Sequence, residues 1–475
     1  MPRWRRSASI SDSLLALDAA YVPKPQMAEG WTVSPDKLTY TFTLRPGLKW
    51  RDGTAVAASD LVPSLKRWMA RATVGQRMAP SVASLEAPDA KTFVIKLKAP
   101  YALLEYSLGL AGPWVMRAKD AETDPFTNIT NTVGSGPFRF VASEWKPGDR
   151  VVYERNPDYV PRPEAPSFFS GGKVAKVDRV EWKVMPDAAI AAAALGRGEV
   201  DYWDGVTADL IPGLEKNPDV TVQVLHPLGF VSFGRTNALF PPFDKVKARQ
   251  VLAHAFDQTE FMTAAYGDAR WWRACQSYFV CGAPFGTEAG SERYAKPDLA
   301  KARALLAEAG YKGEKVVVIN TKELAVVYAL TQVAIARMRE IGLNVEEQVV
   351  DWGNFIGRIS KKDPVDQGGW SFFTTYGTGM VAHHPLTNLG AAMPCDGKNR
   401  FGWPCDEKAE TLRSAFLAAP DDAARKSAID TYHRHLMEVQ PYALLGQAPS
   451  PYAWRKNVTG VMATHLPVFW NIEKK

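Results

Sequence analysis

The chain has 475 residues, 46% hydrophobic and 23% charged, with a net charge of +6 and a pI near 8.9. That length suits two or three domains with cores of their own, and the composition is that of a globular protein. It holds no run of roughly 18 apolar residues long enough for a membrane-spanning helix, and its lysines and arginines are scattered among acids rather than gathered into the basic stripe of a nucleic-acid binder.

In chain order, the first clear element is a strand over 38–44. Leu38, Tyr40, Phe42 and Leu44 share one face and three threonines the other. A helix follows over 60–69, with Ser59 as its expected N-cap and Pro63 tolerated near the first turn. Phe93, Ile95 and Leu97 mark a second alternating strand. Beyond the glycines at 134 and 136, strands are expected at Phe138 to Phe140, 151–154 and 180–184. A helix over 188–195 ends at Gly196, and a short strand spans 200–203. The second half repeats this alternation. A helix opens at Asp298 with Leu299, Ala302, Leu305, Leu306 and Ala309 on one face and stops at Gly310. Then come a strand at 316–319, a helix over 323–341, a strand at 345–350 and a long helix over 423–439. The rhythm is that of an α/β protein.

Four cysteines fall as two local pairs, Cys275 with Cys281 and Cys395 with Cys405. Neither pair has the CxxC spacing of a zinc or redox site, and both intervals suit a loop clipped by a disulfide. Four cysteines allow three pairings, which spacing leaves open. Disulfides need an oxidising compartment, yet MPRWRRSASISDS has a basic start with no apolar stretch behind it, so this start is not an intact signal peptide. There is no GxSxG, HExxH or GxxxxGK[ST] motif, and no cofactor is implied. Acids are numerous, so a carboxylate pair for hydrolysis stays open as an alternative.

Five segments in order carry a family resemblance: AEGWTVSPDKLTYTFTLRPGLKWRDGT, then GSGPFRF with YERNPDY, FGRTNALFPPFDKVKARQVLAHAFD, PDLAKARALLAEAGY and WRKNVTGV. Together they resemble the family 5 extracellular solute-binding proteins, the dipeptide, oligopeptide and nickel receptors of ABC importers. The resemblance implies a two-lobe α/β periplasmic-binding-protein clamshell with an inserted domain. Lobe I would comprise 1–14, 133–238 and 452–475, the inserted domain 15–132, and lobe III 239–447. It implies a periplasmic, non-enzymatic monomer that traps a small solute or peptide between lobes and delivers it to ABC permease subunits, with no nucleic-acid partner. The sequence also starts just after the place where the family has its first lobe I strand, which makes it look truncated there.

The stretch DQGGWSFFTTYGTGMVAHHP, at 366–385, resembles the ligand wall of that family. Peptide-binding relatives anchor the ligand's amine on an Asp shortly after a Gly-Trp pair, here Gly369 and Trp370. Phe373 stands in that place in one register and Gly379 in another, so neither supplies a carboxylate. A buried ammonium without one is strongly unfavourable, and Asp351 or Asp366 are the alternatives nearby. Trp352, Trp370, Ser371, Phe373, Thr375 and Tyr376 are the candidate ligand-binding residues, and alternation predicts that about half of this strand's side chains serve the core. Nickel-binding relatives use a histidine in this neighbourhood, which adds His383. Adjacent histidines diverge on a strand and no i,i+4 partner follows, so a loop pair exposed to solvent is expected rather than a metal site.

Overall fold

The computed structural model describes residues 10–110, 112–127, 129, 133–397 and 401–475. The chain divides into two compact units. Unit 1 is Met1–Asp204, Pro212–Leu225 and Tyr452–Lys475, and unit 2 is Gly205–Ile211 and His226–Pro451.

Unit 1 begins with the antiparallel pair β1 (Leu15–Leu17) and β2 (Pro23–Pro25). Then follow β3 (Ala28–Val33), β4 (Thr39–Leu44), α1 (Ala58–Arg71), β5 (Val82–Glu86) and β6 (Thr92–Leu97), whose strands form a sheet in the order β3-β4-β6-β5. The alternation expected of β4 holds: Tyr40, Phe42 and Leu44 are buried with Phe93 and Ile95 against Leu61 and Leu65 of α1. Ser59 does not cap α1. The cap is Ala57, because the Asp60 carboxylate reaches back to accept the Ala57 N–H at 3.0 Å. Pro63 therefore lies past the first turn, where the helix forgoes one internal hydrogen bond.

Next come β7 (Phe138–Phe140), β8 (Arg150–Arg155) and β9 (Arg179–Lys183), an antiparallel sheet in chain order. Helix α2 (Ala188–Arg197) is capped by Asp187 and runs past Gly196 to end at Gly198, whose φ of +77° closes the helix in the left-handed region. β10 (Tyr202–Asp204) and β11 (Val220–Val224) complete this stretch.

Unit 2 opens with β12 (Phe230–Thr236), followed by α3 (Val246–Ala255), α4 (Gln258–Tyr266) and α5 (Leu299–Glu308). Asp298 caps α5 by accepting the Lys301 N–H at 2.8 Å. β13 (Lys315–Asn320), α6 (Ala325–Glu340), β14 (Asn344–Val349), α7 (Trp352–Ile359) and β15 (Phe372–Thr378) come next, then α8 (Glu407–Ala418), α9 (Asp422–Val439) and β16 (Ala443–Ala448). The sheet order is β14-β13-β15-β12-β16. β13 is parallel to β14 and β15, while β12 is antiparallel to β15 and β16. Both faces are covered, which is why β13 reads as an unbroken apolar run. Disulfides join Cys275 to Cys281 and Cys395 to Cys405.

The chain returns to unit 1 through β17 (Pro451–Arg455), which lies between β10 and β11, and ends with the pair β18 (Val458–Thr459) and β19 (Glu473–Lys474). One buried ion pair ties distant parts of unit 1 together. Asp12 and Lys173 are 0% and 1% exposed and meet at 2.7 Å. The same carboxylate accepts from the Tyr159 hydroxyl at 3.0 Å and from Gln26 Nε2 at 3.2 Å, and the Lys173 ammonium sits 5.1 Å from the centre of the Trp470 ring. Burial pushes the Asp12 carboxyl up, but the Lys173 ammonium outweighs it and holds the group below its ordinary range. Removing one partner leaves the other charge buried and alone. Lys173→Met is therefore expected to lower unfolding free energy by about 3–5 kcal/mol, and the double change Asp12→Asn with Lys173→Met by less, as read from denaturant titrations.

Candidate ligand-binding site

β15 carries the candidate wall, and its two halves differ. A Cβ on Gly369 would lie 1.8 Å from the Asp363 carbonyl oxygen, so only glycine lets the chain enter the strand here. Trp370 follows, fully buried, with its ring 4.9 Å from Phe373 and 5.9 Å from Trp403. Ser371 is buried as well. Its Oγ accepts the Val317 N–H at 3.1 Å, and its own N–H donates to the Val317 carbonyl at 2.8 Å.

Phe372 turns to the core built from α3, α4, α5 and α6, and Phe373 turns to the opposite core beside Phe355, 5.6 Å away. The expected alternation thus begins at Phe372, and Trp370, which precedes the strand, joins Phe373 rather than Phe372. Thr374 is buried and shares a hydrogen bond of 2.7 Å with the Thr331 hydroxyl.

From Thr375 onward the strand is only half-buried. Tyr376 lies opposite Ser232 and packs edge-on against Phe230 at 5.4 Å. Burial pushes its hydroxyl pKa up, so Tyr376 stays a neutral donor. Ser232 in turn meets the Tyr266 hydroxyl at 3.2 Å. The wall ends at Gly379, where a Cβ would lie 2.3 Å from the Leu228 carbonyl oxygen. No side chain, acid included, fits there.

Trp352 belongs to a second patch. It is half-buried at the start of α7 and stacks on Phe355 at 5.2 Å. Phe355 links it to Phe373 and Trp370, while Tyr376 packs elsewhere, on Phe230. Phe230, Ser232 and Tyr266 were not expected from sequence. They reach the wall through the pairing of β12 with β15, which is not written in either strand. Of the acids nearby, Asp351 is spent as the cap of α7, accepting from the Asn354 N–H at 2.9 Å, and Asp366 is exposed.

The two histidines are not exposed. A single helical turn, Gly379–Ala382, folds the chain inward, and His383 and His384 are each 1% exposed. His383 Nδ1 lies 2.7 Å from the Met380 carbonyl, and burial pulls its pKa down to about 4. His384 Nδ1 accepts the Leu386 N–H at 3.0 Å, and its ring sits edge-on to Phe285 and Phe416. Burial brings His226 down to about 4 as well, with His383 adding to the effect. Among the described residues no three His, Cys, Asp or Glu side chains are grouped to hold a metal ion.

Comparison with known proteins places this geometry. The profile of bacterial extracellular solute-binding proteins, family 5 Middle, matches residues 22–398. A probable peptide ABC transporter periplasmic-binding protein, y4tO, of Sinorhizobium fredii is 39% identical over 470 residues, covering 98% of this chain and 88% of its own. The glutathione-binding protein GsiB of Escherichia coli O1:K1 is 26% identical, over 77% and 69% of the two chains. Among solved structures, AgaA of A. tumefaciens R10 in complex with agropinic acid superposes with a TM-score of 0.80 at 24% identity, covering 99% and 94%. A Pseudoalteromonas dipeptide-binding protein in complex with Met-Leu gives 0.81 at 18% identity, covering 99% and 94%. The fold is the two-lobe α/β clamshell of periplasmic binding proteins.

Both His226 and His383 are kept neutral in the fold at about 4, against about 6.5 in an unfolded chain. Their depressed values mean that the stability from keeping them uncharged is complete above about pH 6.5. It is lost as pH falls from there through about 4. The melting temperature is accordingly expected to drop between pH 6.5 and 4, and His383→Gln, which cannot take up the proton, should flatten that slope in a calorimetric pH series.

Proposed function

Since this chain belongs to the family 5 bacterial extracellular solute-binding proteins, we propose that it is the substrate-binding subunit of an ABC importer for a peptide-like or other small organic solute lacking a free amine. The half-buried end of β15 is the observation that carries the solute class. It offers Thr375, Tyr376 and the neighbouring Phe230 to a ligand, and hydroxyls and aromatic edges rather than a carboxylate. In this reading Trp352 adds a second aromatic surface, while Trp370, Ser371, Phe373 and His383 hold the wall from behind.

The rest of the reading follows from kinship. In this reading 15–132 is a domain inserted in lobe I, and lobe III begins before the expected boundary at 238, because β12 pairs with β15 and β16 and belongs to unit 2, which runs from His226 onward. The protein acts in the periplasm as a monomer, performs no chemistry on its solute, and hands it to permease subunits. Some structural neighbours are complexes with nickel and histidine. That alternative is less well supported, because His383 is enclosed with Nδ1 against a carbonyl. A hydrolase reading has no observation in its favour.

The amine question is directly measurable. Isothermal titration against matched dipeptides should show N-acetylated forms binding at least as tightly as free-amine forms. A preference of tenfold or more for the free amine would mean that a carboxylate outside β15 anchors it. For any solute that binds, Tyr376→Ala is expected to weaken affinity by about 1–3 kcal/mol with little change in melting temperature, since Tyr376 is only half-buried.

A further inference from the structure

The sheet of unit 2 does not stop at β16. β16 is the last strand in its order, yet the segment after α4 joins its open edge. Arg273 and Gln447 exchange both backbone hydrogen bonds, at 2.8 and 3.0 Å, as an antiparallel bridge. Local sequence brings the chain there. α4 ends at Gly267, whose φ is +70°, and Asp268 caps a single tight turn, Ala269–Trp271, by accepting the Arg270 N–H at 2.9 Å. Trp272 then runs extended, with φ −156° and ψ 168°.

This added edge continues the candidate wall. Tyr376 stands opposite Ser232, and Ser232 opposite Gly446. In the parallel row, Phe230 stands opposite Ala448, and the bridge register puts Trp272 opposite Ala448 from the other side. Alternation therefore sends Trp272 to the face of Phe230, Ser232 and Tyr376. Two contacts agree. The Trp272 indole N–H donates to the Gly267 carbonyl at the end of α4 at 2.9 Å. A Cβ on Gly446 would lie 2.4 Å from Cγ of Met262, which belongs to α4, and the hydroxyl of Tyr266 in the same helix meets Ser232. On this face β16 contributes only Gly446 and Ala448, so it puts no bulky side chain between Phe230 and Trp272.

Trp272 is half-buried and its ring is fixed at one edge by that hydrogen bond, while no other ring among the described residues packs on it. Its neighbour differs. The Trp271 indole N–H has no hydrogen-bond partner among the described residues, and the Arg270 guanidinium lies 5.4 Å from its ring. An aromatic face that is held in place and left uncovered suits a flat group. From β15 to the segment of Trp272 is three strand spacings, about 14 Å, which matches about four extended residues. We propose that Trp272 is a specificity-determining residue of the solute site, seating a planar unsaturated group at one end of a peptide-like solute whose other end lies at Tyr376. The proposal rests on the reading of β15 as the ligand wall, and it adds to that reading a solute length and an aromatic end.

The test is isothermal titration with N-acetyl-tetraalanine and with its two forms carrying phenylalanine at the first or the last position. One aromatic form should bind at least about tenfold tighter than the tetraalanine. Trp272→Ala should erase that advantage, Trp272→Phe should keep most of it, and Trp271→Ala should leave it in place. Trp272→Leu, which keeps bulk without an aromatic face, carries the comparison should the alanine variant melt well below the parent chain. An aromatic preference that survives both Trp272→Ala and Trp272→Leu would overturn the proposal. Equal affinity for all three peptides, weakened alike by Tyr376→Ala, would remove Trp272 and leave the β15 wall standing. Binding of none of the three by the parent chain would remove both.

Discussion

Everything about the candidate site follows from the position of β15 inside its sheet. It runs between β13 and β12 with a packed layer on each face. Side chains alternate across a strand, so two consecutive phenylalanines must go to two different cores, and they do. Phe372 and Phe373 are consumed in this way, and Thr374 is taken by the hydroxyl of Thr331. Only where the layers end does the strand release side chains for anything else. The candidate wall is therefore short, and in the proposed reading its chemistry would be set by Thr375 and Tyr376 rather than by the more conspicuous tryptophan before it.

The same constraint closes the two expected positions on this stretch to an amine-anchoring acid. An acid at Phe373 would sit in an apolar cluster beside Phe355 and Trp370, where an unpaired carboxylate is expensive. An acid at Gly379 has no space at all, because the Leu228 backbone already occupies the position of its first carbon. Both positions are thus closed to a carboxylate by packing, quite apart from which residue the sequence happens to carry. The histidines show the companion rule. A buried imidazole is tolerated when neutral and bonded, and a carbonyl at His383 and an amide at His384 meet that condition without a metal.

Much of the fold could be read from periodicity. β4, β6 and α5 lie within a residue or two of where alternation and helical spacing put them, and the Asp298 cap was visible as an acid before an apolar face. What local pattern could not give was anything decided by distant chain. Ser59 lost its capping role to Ala57, whose N–H is taken by the Asp60 carboxylate; that carboxylate also accepts from the Trp50 indole and from the Ala118 N–H far along the sequence. The burial of His384 depends on Phe285 and Phe416, neither of them near in sequence. For the candidate site, the residue list was legible but its depth was not. Trp370 and Tyr376 look alike as aromatics on one strand, and only the neighbouring layers separate a core residue from a half-open one.

The solute's character can be argued from what such a wall is able to satisfy. A neutral hydroxyl such as that of Tyr376 both donates and accepts one hydrogen bond, which matches an amide or hydroxyl of a ligand. It does not repay the desolvation of an ammonium, which needs a carboxylate within contact distance to stay charged out of water. Aromatic edges at Phe230 and Tyr376 add apolar area and shape without adding charge. A neutral or amine-blocked solute loses nothing against this surface, whereas a free amine gives up its hydration for partners that cannot replace it. Selectivity would then come from that unreturned desolvation, which penalises the wrong ligand, more than from any single strong contact with the right one.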